Sequence, residues 1–343
     1  MKITILTHLE REGSTDYDAV IQPVADALRQ AGHKPSILGI HSDVKKLLTG
    51  LARRKPDLVF NLMETFGETQ LGAVGVVGLL DLLGIRYTGG GPGEVYLQED
   101  KALTKKLLAF DHIAYPDFAV FSQDADLETG GNLRLPLIVK PLRMDASIGI
   151  GGKSIVRTSV DMMKRVIEIH EQVKDAALVE EYIEGREFYI GILGNQNPIA
   201  FPPIEMDFSG LPPDRPRILD AKAKWDEKSV EYRGTKAVLA EVPDELRARL
   251  QKVALDAYRA LRVRDYGRVD LRLTETGEIY VIEVNASCYL EPTSEFATAT
   301  AAAGVDYPTL INRIAEVAND RYQAPPVRWP ARSTRNGRRV KKA

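Results

Sequence analysis

Arg268-Val-Asp270-Leu-Arg272-Leu-Thr-Glu-Thr-Gly277-Glu-Ile-Tyr280-Val-Ile-Glu283-Val-Asn285 reads as two alternating strands around a turn at Thr276-Gly277. Side chains along a strand point to opposite faces in turn, so Arg268, Asp270 and Arg272 share one face of the first strand. Glu283 and Asn285 share one face of the second. With a two-residue turn, Asp270 stands opposite Glu283 and Arg268 opposite Asn285; a bulge at the glycine would shift that register by one. Two carboxylates facing each other across strands repel, so a plain sheet disfavours them unless a cation lies between. Together with an amide oxygen they form a hard ligand set, suited to Mg²⁺ that is also held by phosphate oxygens. The rest of Tyr280 to Asn285 is apolar, which places its polar members in a cleft.

Upstream, Leu137-Ile-Val-Lys140-Pro-Leu-Arg-Met-Asp-Ala-Ser147-Ile-Gly149-Ile-Gly151-Gly152-Lys153 ends a strand in a lysine and continues into a loop with unhindered backbone N–H groups, a combination that suits phosphate. It is not a Walker loop, because G-x-x-x-x-G-K-[ST] is absent. Leu178-Val-Glu180-Glu181-Tyr182-Ile183-Glu184-Gly185-Arg186-Glu187 sets acidic residues after an apolar strand, where backbone can receive an adenine and a carboxylate the ribose hydroxyls. Each of these two signals is weak alone.

The N-terminal 90 or so residues alternate strand and helix: strand 2–7, helix 18–30 on Val20, Ile21, Val24, Ala27 and Leu28, strand 35–40, a short helix, strand 57–61, helix 73–83 and a strand end at 85–87. That order marks a parallel sheet covered by helices. The connection Gly89-Gly-Gly-Pro-Gly93 separates it from a strand-rich, largely antiparallel second half, with a basic helix at 100–110, strands at 118–121, 137–140, 153–157, 177–182 and 187–193, and a helix at 159–170. The polar, proline-rich stretch from Pro202 to Gly234 reads as a loop that covers or lines a site. The fold class expected is α/β followed by α+β, with lobes at 1–93, 94–183 and 184–322 and a basic, disordered tail at 323–343.

A chain of 343 residues with 44% hydrophobic and 27% charged residues is ordinary for a globular protein, and no stretch approaches the roughly 20 apolar residues of a membrane span. A net charge of −2 gives no general attraction to nucleic acid. The tail carries seven basic residues and no acidic one, and reads as solvated rather than ligand-specific. With one cysteine, Cys288, and no signal-peptide pattern, the expected location is the cytoplasm. Cys288 reads as a small buried filler. The five histidines lack metal spacing.

A lysine ending a strand, a glycine-rich loop, Glu180-Glu-Tyr-Ile183 and the late Asp270…Glu283-Val-Asn285, in this order, resemble the ATP-grasp superfamily. Within it the chain looks like the D-alanine-D-alanine ligase branch, on Leu82-Leu-Gly-Ile-Arg-Tyr-Thr-Gly-Gly90, Asp100-Lys101…Thr104-Lys105, Val139-Lys-Pro141, Gly185-Arg-Glu-Phe188, Tyr266-Gly-Arg-Val-Asp270 and Glu283-Val-Asn285. The resemblance covers about residues 1 to 320 and implies an N-terminal α/β lobe before a two-lobed ATP-grasp fold. It implies Lys101 and Lys140 on ATP phosphates, Glu180 and the backbone of Glu181, Tyr182 and Ile183 at adenine, and Glu187 at the ribose. It further implies Lys224 on the transferred phosphate, Ser147 in the glycine-rich loop, Arg268 at the developing oxyanion, and Asp270, Glu283 and Asn285 on Mg²⁺ or Mn²⁺.

The implied reaction joins a carboxylate to an amine through an acyl phosphate, releasing ADP and phosphate, with small amino-acid or carboxylate substrates. A homodimer is compatible with it. Departures fall on the substrate side. Where the family has a histidine-glycine pair after its third strand, this chain reads Asn61-Leu-Met-Glu64-Thr-Phe-Gly67; Trp225 replaces a tyrosine after Lys224; and Cys288-Tyr289-Leu290 replaces a proline-glycine-methionine run, with Ser294 retained. Glu64, Trp225, Tyr289 and Ser294 are therefore the candidate substrate residues. A ligase acting on a larger amine or peptide, and a nucleotide-binding regulator without turnover, stay open beside the amino-acid ligase.

Overall fold

The computed structural model describes residues 1–69, 71–123, 128–144 and 149–323, without the side chain of Trp225. Ser147 and the tail after residue 323 lie outside the described residues. Lys2–His8 is the middle strand of a parallel sheet, between Lys34–Ile40 and Leu58–Leu62. Its Ile3 and Ile5 face the helix Ile21–Gln30, and its Leu6 faces the helices Val44–Arg54 and Gly72–Leu82. The first helix starts at Ile21 rather than Asp18, because the Asp18 carboxylate accepts the Val20 N–H at 2.9 Å and holds the chain in a turn there. The strand expected at 85–87 is a single parallel bridge from Tyr87 to Val59. Contacts from the far end of the chain take that tyrosine's backbone: Tyr322 Oη meets its N–H at 3.2 Å and Arg321 donates to its carbonyl at 2.8 Å.

The glycine-rich connection leads directly into a helix that the sequence reading lacked, Pro92–Glu99, with proline at its first position, where no N–H is needed. The helix Lys101–Phe110 follows. A five-stranded antiparallel sheet comes next, in the order Glu128–Gly130, Phe118–Phe121, Ala177–Glu181, Leu137–Pro141 and Ile155–Val156. Leu137, Val139 and Val179 pack under the helix Ser159–Glu168, while Leu178 and Phe118 face the helix Lys101–Phe110. The last strand is shorter than expected because Gly152–Ser154 coils into a 3₁₀ turn, the Ser154 hydroxyl accepting the Gly151 N–H.

The third sheet runs Lys236–Leu239, Ile204–Asp207, Arg186–Leu193, Tyr266–Leu273, Ile279–Asn285, with Ile199–Ala200 paired to Arg186–Leu193. The stretch from Pro202 to Gly234 is thus not all loop. Ile204 and Met206 alternate into the core, and the short helices Ala221–Trp225 and Val230–Gly234 follow. One face of this sheet carries Val269, Leu271, Val281 and Val284 against the helix Asp244–Ala260. The turn of the Tyr266–Asn285 hairpin holds three residues rather than two: Thr274 N–H bonds the Glu278 carbonyl at 2.9 Å, and Gly277 takes φ +87°, where a side chain would be strained. A bulge between Asp270 and Leu271 then restores the register, so Asp270 pairs with Glu283 and Arg268 with Asn285. Packing against the helix explains the bulge: it lets Val281 and Val284 both face inward although two residues separate them.

The three sheets fall within 1–93, 94–183 and 184–322, but the chain does not stay in its last sheet. Its final helix, Tyr307–Gln323, returns to pack on Ile21–Gln30, with Leu310, Ile311 and Ile314 in one core with Ile21, Val24 and Leu28. Asp265, fully buried, ties this return to the connection. Its carboxylate accepts from Gly89 N–H at 2.9 Å, Asn195 Nδ2 at 3.0 Å and the Arg321 guanidinium at 2.9 and 3.0 Å. Among the described residues no helix is long and apolar enough to cross a membrane. Asp265→Ala takes away the acceptor of the buried Gly89 N–H and the ionic partner of Arg321, and is expected to lower stability by about 3 kcal/mol in urea unfolding; a loss below about 0.5 kcal/mol contradicts the clamp.

Candidate active site

The helix Lys101–Phe110 places Lys101 and Lys105 one turn apart on the same face. That face meets the strands Leu137–Pro141 and Ala177–Glu181 on the side carrying Lys140 and Glu180. Glu180 is 1% exposed, and its carboxylate lies 2.9 Å from Lys105 Nζ and 2.8 Å from Lys140 Nζ. Burial works against its charge, yet the two lysines outweigh burial and hold its carboxyl down to about 2. For Lys105, 1% exposed, burial prevails and lowers the ammonium below its ordinary value. Two lysines against one carboxylate leave a buried cationic surplus beside the cleft. The spacing of four between Lys101 and Lys105 is the sequence signal that points to Lys105.

Lys101 reaches the other way. Its Nζ donates to the Met144 carbonyl at 2.9 Å and lies 3.6 Å from the Glu283 carboxylate, bridging the central lobe and the C-terminal sheet. Burial opposes the charged form of Glu283, but Lys101, Lys140 and Lys224 together keep its carboxyl below the usual range. Directly across the hairpin, the Asp270 carboxyl is pushed up to about 6, chiefly by burial, with Glu283 adding to the rise and Arg268 opposing it. Arg268 donates to Asp270 through Nε at 2.7 Å and Nη2 at 2.9 Å, reaches Glu295 through Nη1 at 3.2 Å, and lies 4.6 Å over the Tyr189 ring. Asn285 Nδ2 donates to Asp270 at 3.3 Å. Two opposed carboxylates, one buried and one half-buried, with an adjacent amide offer an all-oxygen set, which fits a hard divalent cation.

Behind this set, Arg272 is buried and pairs with Glu187, whose other carboxylate oxygen accepts from the Tyr189 hydroxyl at 2.6 Å. Arg272 also donates to the carbonyls of Ile183 and Gly185 at 3.4 Å and of Arg217 at 2.6 Å, fastening the crossing at 181–185 to the C-terminal sheet. Nothing in a period-two pattern announced that clamp. A cavity of about 160 Å³ is lined by Lys101, Lys140, Glu180 to Ile183, Glu187, Lys224, Arg268, Asp270, Glu283 and Asn285, together with Ile138, Ile150, Ile218 and Leu219. The expected nucleotide and metal residues that are described therefore share one cleft, with Lys224 brought to it by the helix Ala221–Trp225.

Of the candidate substrate residues, the side chains of Glu64, Tyr289 and Ser294 are described and that of Trp225 is not. Tyr289 donates to Asp18 at 2.8 Å across 271 residues of chain, a contact no local pattern signals. Glu64 follows the strand Leu58–Leu62 and is near enough to Tyr266 and Tyr289 to disfavour their ionisation. Ser294 caps the helix Glu295–Ala302, its hydroxyl accepting from Ala297 N–H. Cys288 is buried beside this group, and burial pushes its thiol up to about 12. Native protein at pH 8 should then react with iodoacetamide about a thousandfold more slowly than protein unfolded in guanidinium; comparable rates would contradict the buried placement.

Residues 107–316 match the family model described as D-ala D-ala ligase C-terminus. The chain is 32% identical over 304 residues to a D-alanine--D-alanine ligase of Desulforudis audaxviator, covering 87% of this chain and 92% of that one. It is 30% identical to one of Aquifex aeolicus, with 85% and 91% covered. The crystal structure of a D-alanine--D-alanine ligase from Bacillus anthracis complexed with ATP superposes with a TM-score of 0.69 at 22% identity, over 94% of this chain and 99% of that one.

Proposed function

Because the chain belongs to the D-alanine-D-alanine ligase family, it is an ATP-dependent carboxylate-amine ligase, and we propose that it joins amino acids through an acyl phosphate in an altered substrate pocket. The observation that carries this reading is Lys101, whose ammonium lies 3.6 Å from Glu283. A lysine of the central lobe and a carboxylate of the hairpin thus converge on the place where a terminal phosphate and its metal would sit. Asp270, Glu283 and Asn285 are the residues that would hold Mg²⁺ or Mn²⁺. Such a cation, when bound, neutralises charge on phosphate oxygens.

In the proposed reaction, a donor carboxylate oxygen attacks the terminal phosphorus of ATP, the bond to the bridging oxygen breaks and ADP leaves. The amine, having lost a proton, then attacks the acyl carbon and expels phosphate, which keeps the former carboxylate oxygen. Lys101, Lys140 and Lys224 offset the negative charge of the phosphates, and Lys105 adds to the field through the Glu180 it shares with Lys140. The backbone of Glu181, Tyr182 and Ile183 receives the adenine, and Glu187, oriented by Arg272 and Tyr189, meets the ribose. Arg268 keeps Nη1 on Glu295 and would turn Nε and Nη2 from Asp270 to an oxyanion at the acyl carbon once a cation takes that carboxylate, where one such donor is typically worth about 10²- to 10³-fold in rate. Positioning and charge neutralisation account for the catalysis, which suits phosphoryl transfer.

Glu64, Trp225, Tyr289 and Ser294 are proposed to face the amino acids, with Asp18 added by its bond to Tyr289. Purified protein given Mg²⁺, ATP and a panel of amino acids should release ADP and phosphate only when a competent pair is present. Glu283→Ala should reduce that release by about 100-fold or more while leaving the thermal midpoint near that of the unmodified chain. Full activity in Glu283→Ala would remove it from the metal set, and silence of the unmodified protein across the panel would remove the amino-acid reading.

A further inference from the structure

Glu295 takes no part in the nucleotide half of the cleft, yet the fold holds it firmly. With Ser294 as the cap, Glu295 is the first residue of the helix Glu295–Ala302, where the backbone N–H groups favour a carboxylate. The next residue, Phe296, lies against Gly191 so closely that a Cβ there would stand 2.1 Å from its ring. Gly191 is the cross-strand partner of Arg268, and Tyr266 stacks on the same phenyl ring with centroids 6.2 Å apart. The bare glycine lets the helix start settle onto the sheet beside Arg268, and so fixes the Glu295 carboxylate 3.2 Å from Nη1.

Arg268 consequently holds two carboxylates before any substrate arrives, Asp270 through Nε and Nη2 and Glu295 through Nη1. If a cation draws Asp270 away, Glu295 still occupies the guanidinium. The surroundings on this side add negative charge: Asp18, Glu64 and Glu291 all act on Tyr289. The lysines instead gather around Glu180 and Glu283. A substrate carboxylate brought to Arg268 would therefore meet like charge, whereas an amine, which arrives as an ammonium, would be drawn in.

Resting on the ligase reading above, we propose that Glu295 determines the class of acceptor, and that the acceptor is an amine with no free carboxylate on the adjoining carbon, such as an amino-acid amide or the N-terminus of a peptide. Glu295 acts on specificity through charge. Its effect must therefore appear in the choice between matched acceptors rather than in nucleotide binding.

The test is a competition in which the donor is common to both products. Full-length protein with Mg²⁺ and ATP is given equal concentrations of an amino acid and its own primary amide, for D- and L-alanine, serine and lysine in turn. Mass spectrometry then reads the ratio of dipeptide amide to free dipeptide, a direct ratio of kcat/KM for the two acceptors. The unmodified chain should favour the amide product by about tenfold or more. Glu295→Gln should bring the ratio at least about fivefold towards parity, and Glu295→Asp should keep the amide preference. The change on Glu295→Gln is decisive, since an amide's amine is also the more readily deprotonated. A ratio unchanged in Glu295→Gln, or free dipeptide as the main product of the unmodified chain, overturns the proposal while leaving the ligase reading intact. Absence of ADP release in every mixture overturns the amino-acid ligase reading and this proposal with it.

Discussion

Asp270 and Glu283 stand opposite each other on adjacent strands, the first buried and the second half-buried, and the arrangement of the cleft follows from keeping two such carboxylates together. Like charges across a ladder repel, and burial removes the water that would soften the repulsion. The protein answers with Arg268 on Asp270 and with Lys101, Lys140 and Lys224 around Glu283. Those cations come from three places: the hairpin, the central lobe and the short helix Ala221–Trp225. A pair that needs cations from so many elements also holds those elements in register around a site for phosphates.

The same electrostatics gives the cleft two ends. At one end Lys105 and Lys140 share Glu180 and leave a positive excess where nucleotide phosphates belong. At the other, Arg268 is already committed to Asp270 and Glu295, while Asp18, Glu64 and Glu291 act on Tyr289. Arg268 is the boundary between them. Its position is set from below by the Tyr189 ring and from the side by the helix that Phe296 docks onto Gly191. Fixed charges of this kind lower a barrier without reorganising during the reaction, which is how a site built on rigid strands and helix ends contributes to phosphoryl and acyl transfer.

What was legible in the sequence was whatever local periodicity controls. Alternation in the Tyr266–Asn285 hairpin put Arg268, Asp270, Glu283 and Asn285 on one side, and the strand order of the first 90 residues gave a parallel sheet. The three-residue turn and the bulge that compensates for it were not legible, because the helix Asp244–Ala260 selects them by demanding both Val281 and Val284. Ile204–Asp207 was hidden among prolines, and the Asp265 clamp, the Arg272 clamp and the Tyr289 to Asp18 bond join residues far apart in the chain. Glu295 sat one residue beyond a recognised serine. Only its contact with Arg268, made in three dimensions, gives it meaning.

The central claim is that the carboxylate of the donor takes the phosphoryl group and returns one of its own oxygens with the phosphate. A donor amino acid labelled with ¹⁸O in both carboxylate oxygens, turned over with Mg²⁺, ATP and a competent amine, reads this directly by mass spectrometry of the released phosphate. One ¹⁸O in each phosphate is the expected result. Unlabelled phosphate, with the departing label recovered in AMP or water instead, contradicts an acyl phosphate and the ligase mechanism built on this cleft.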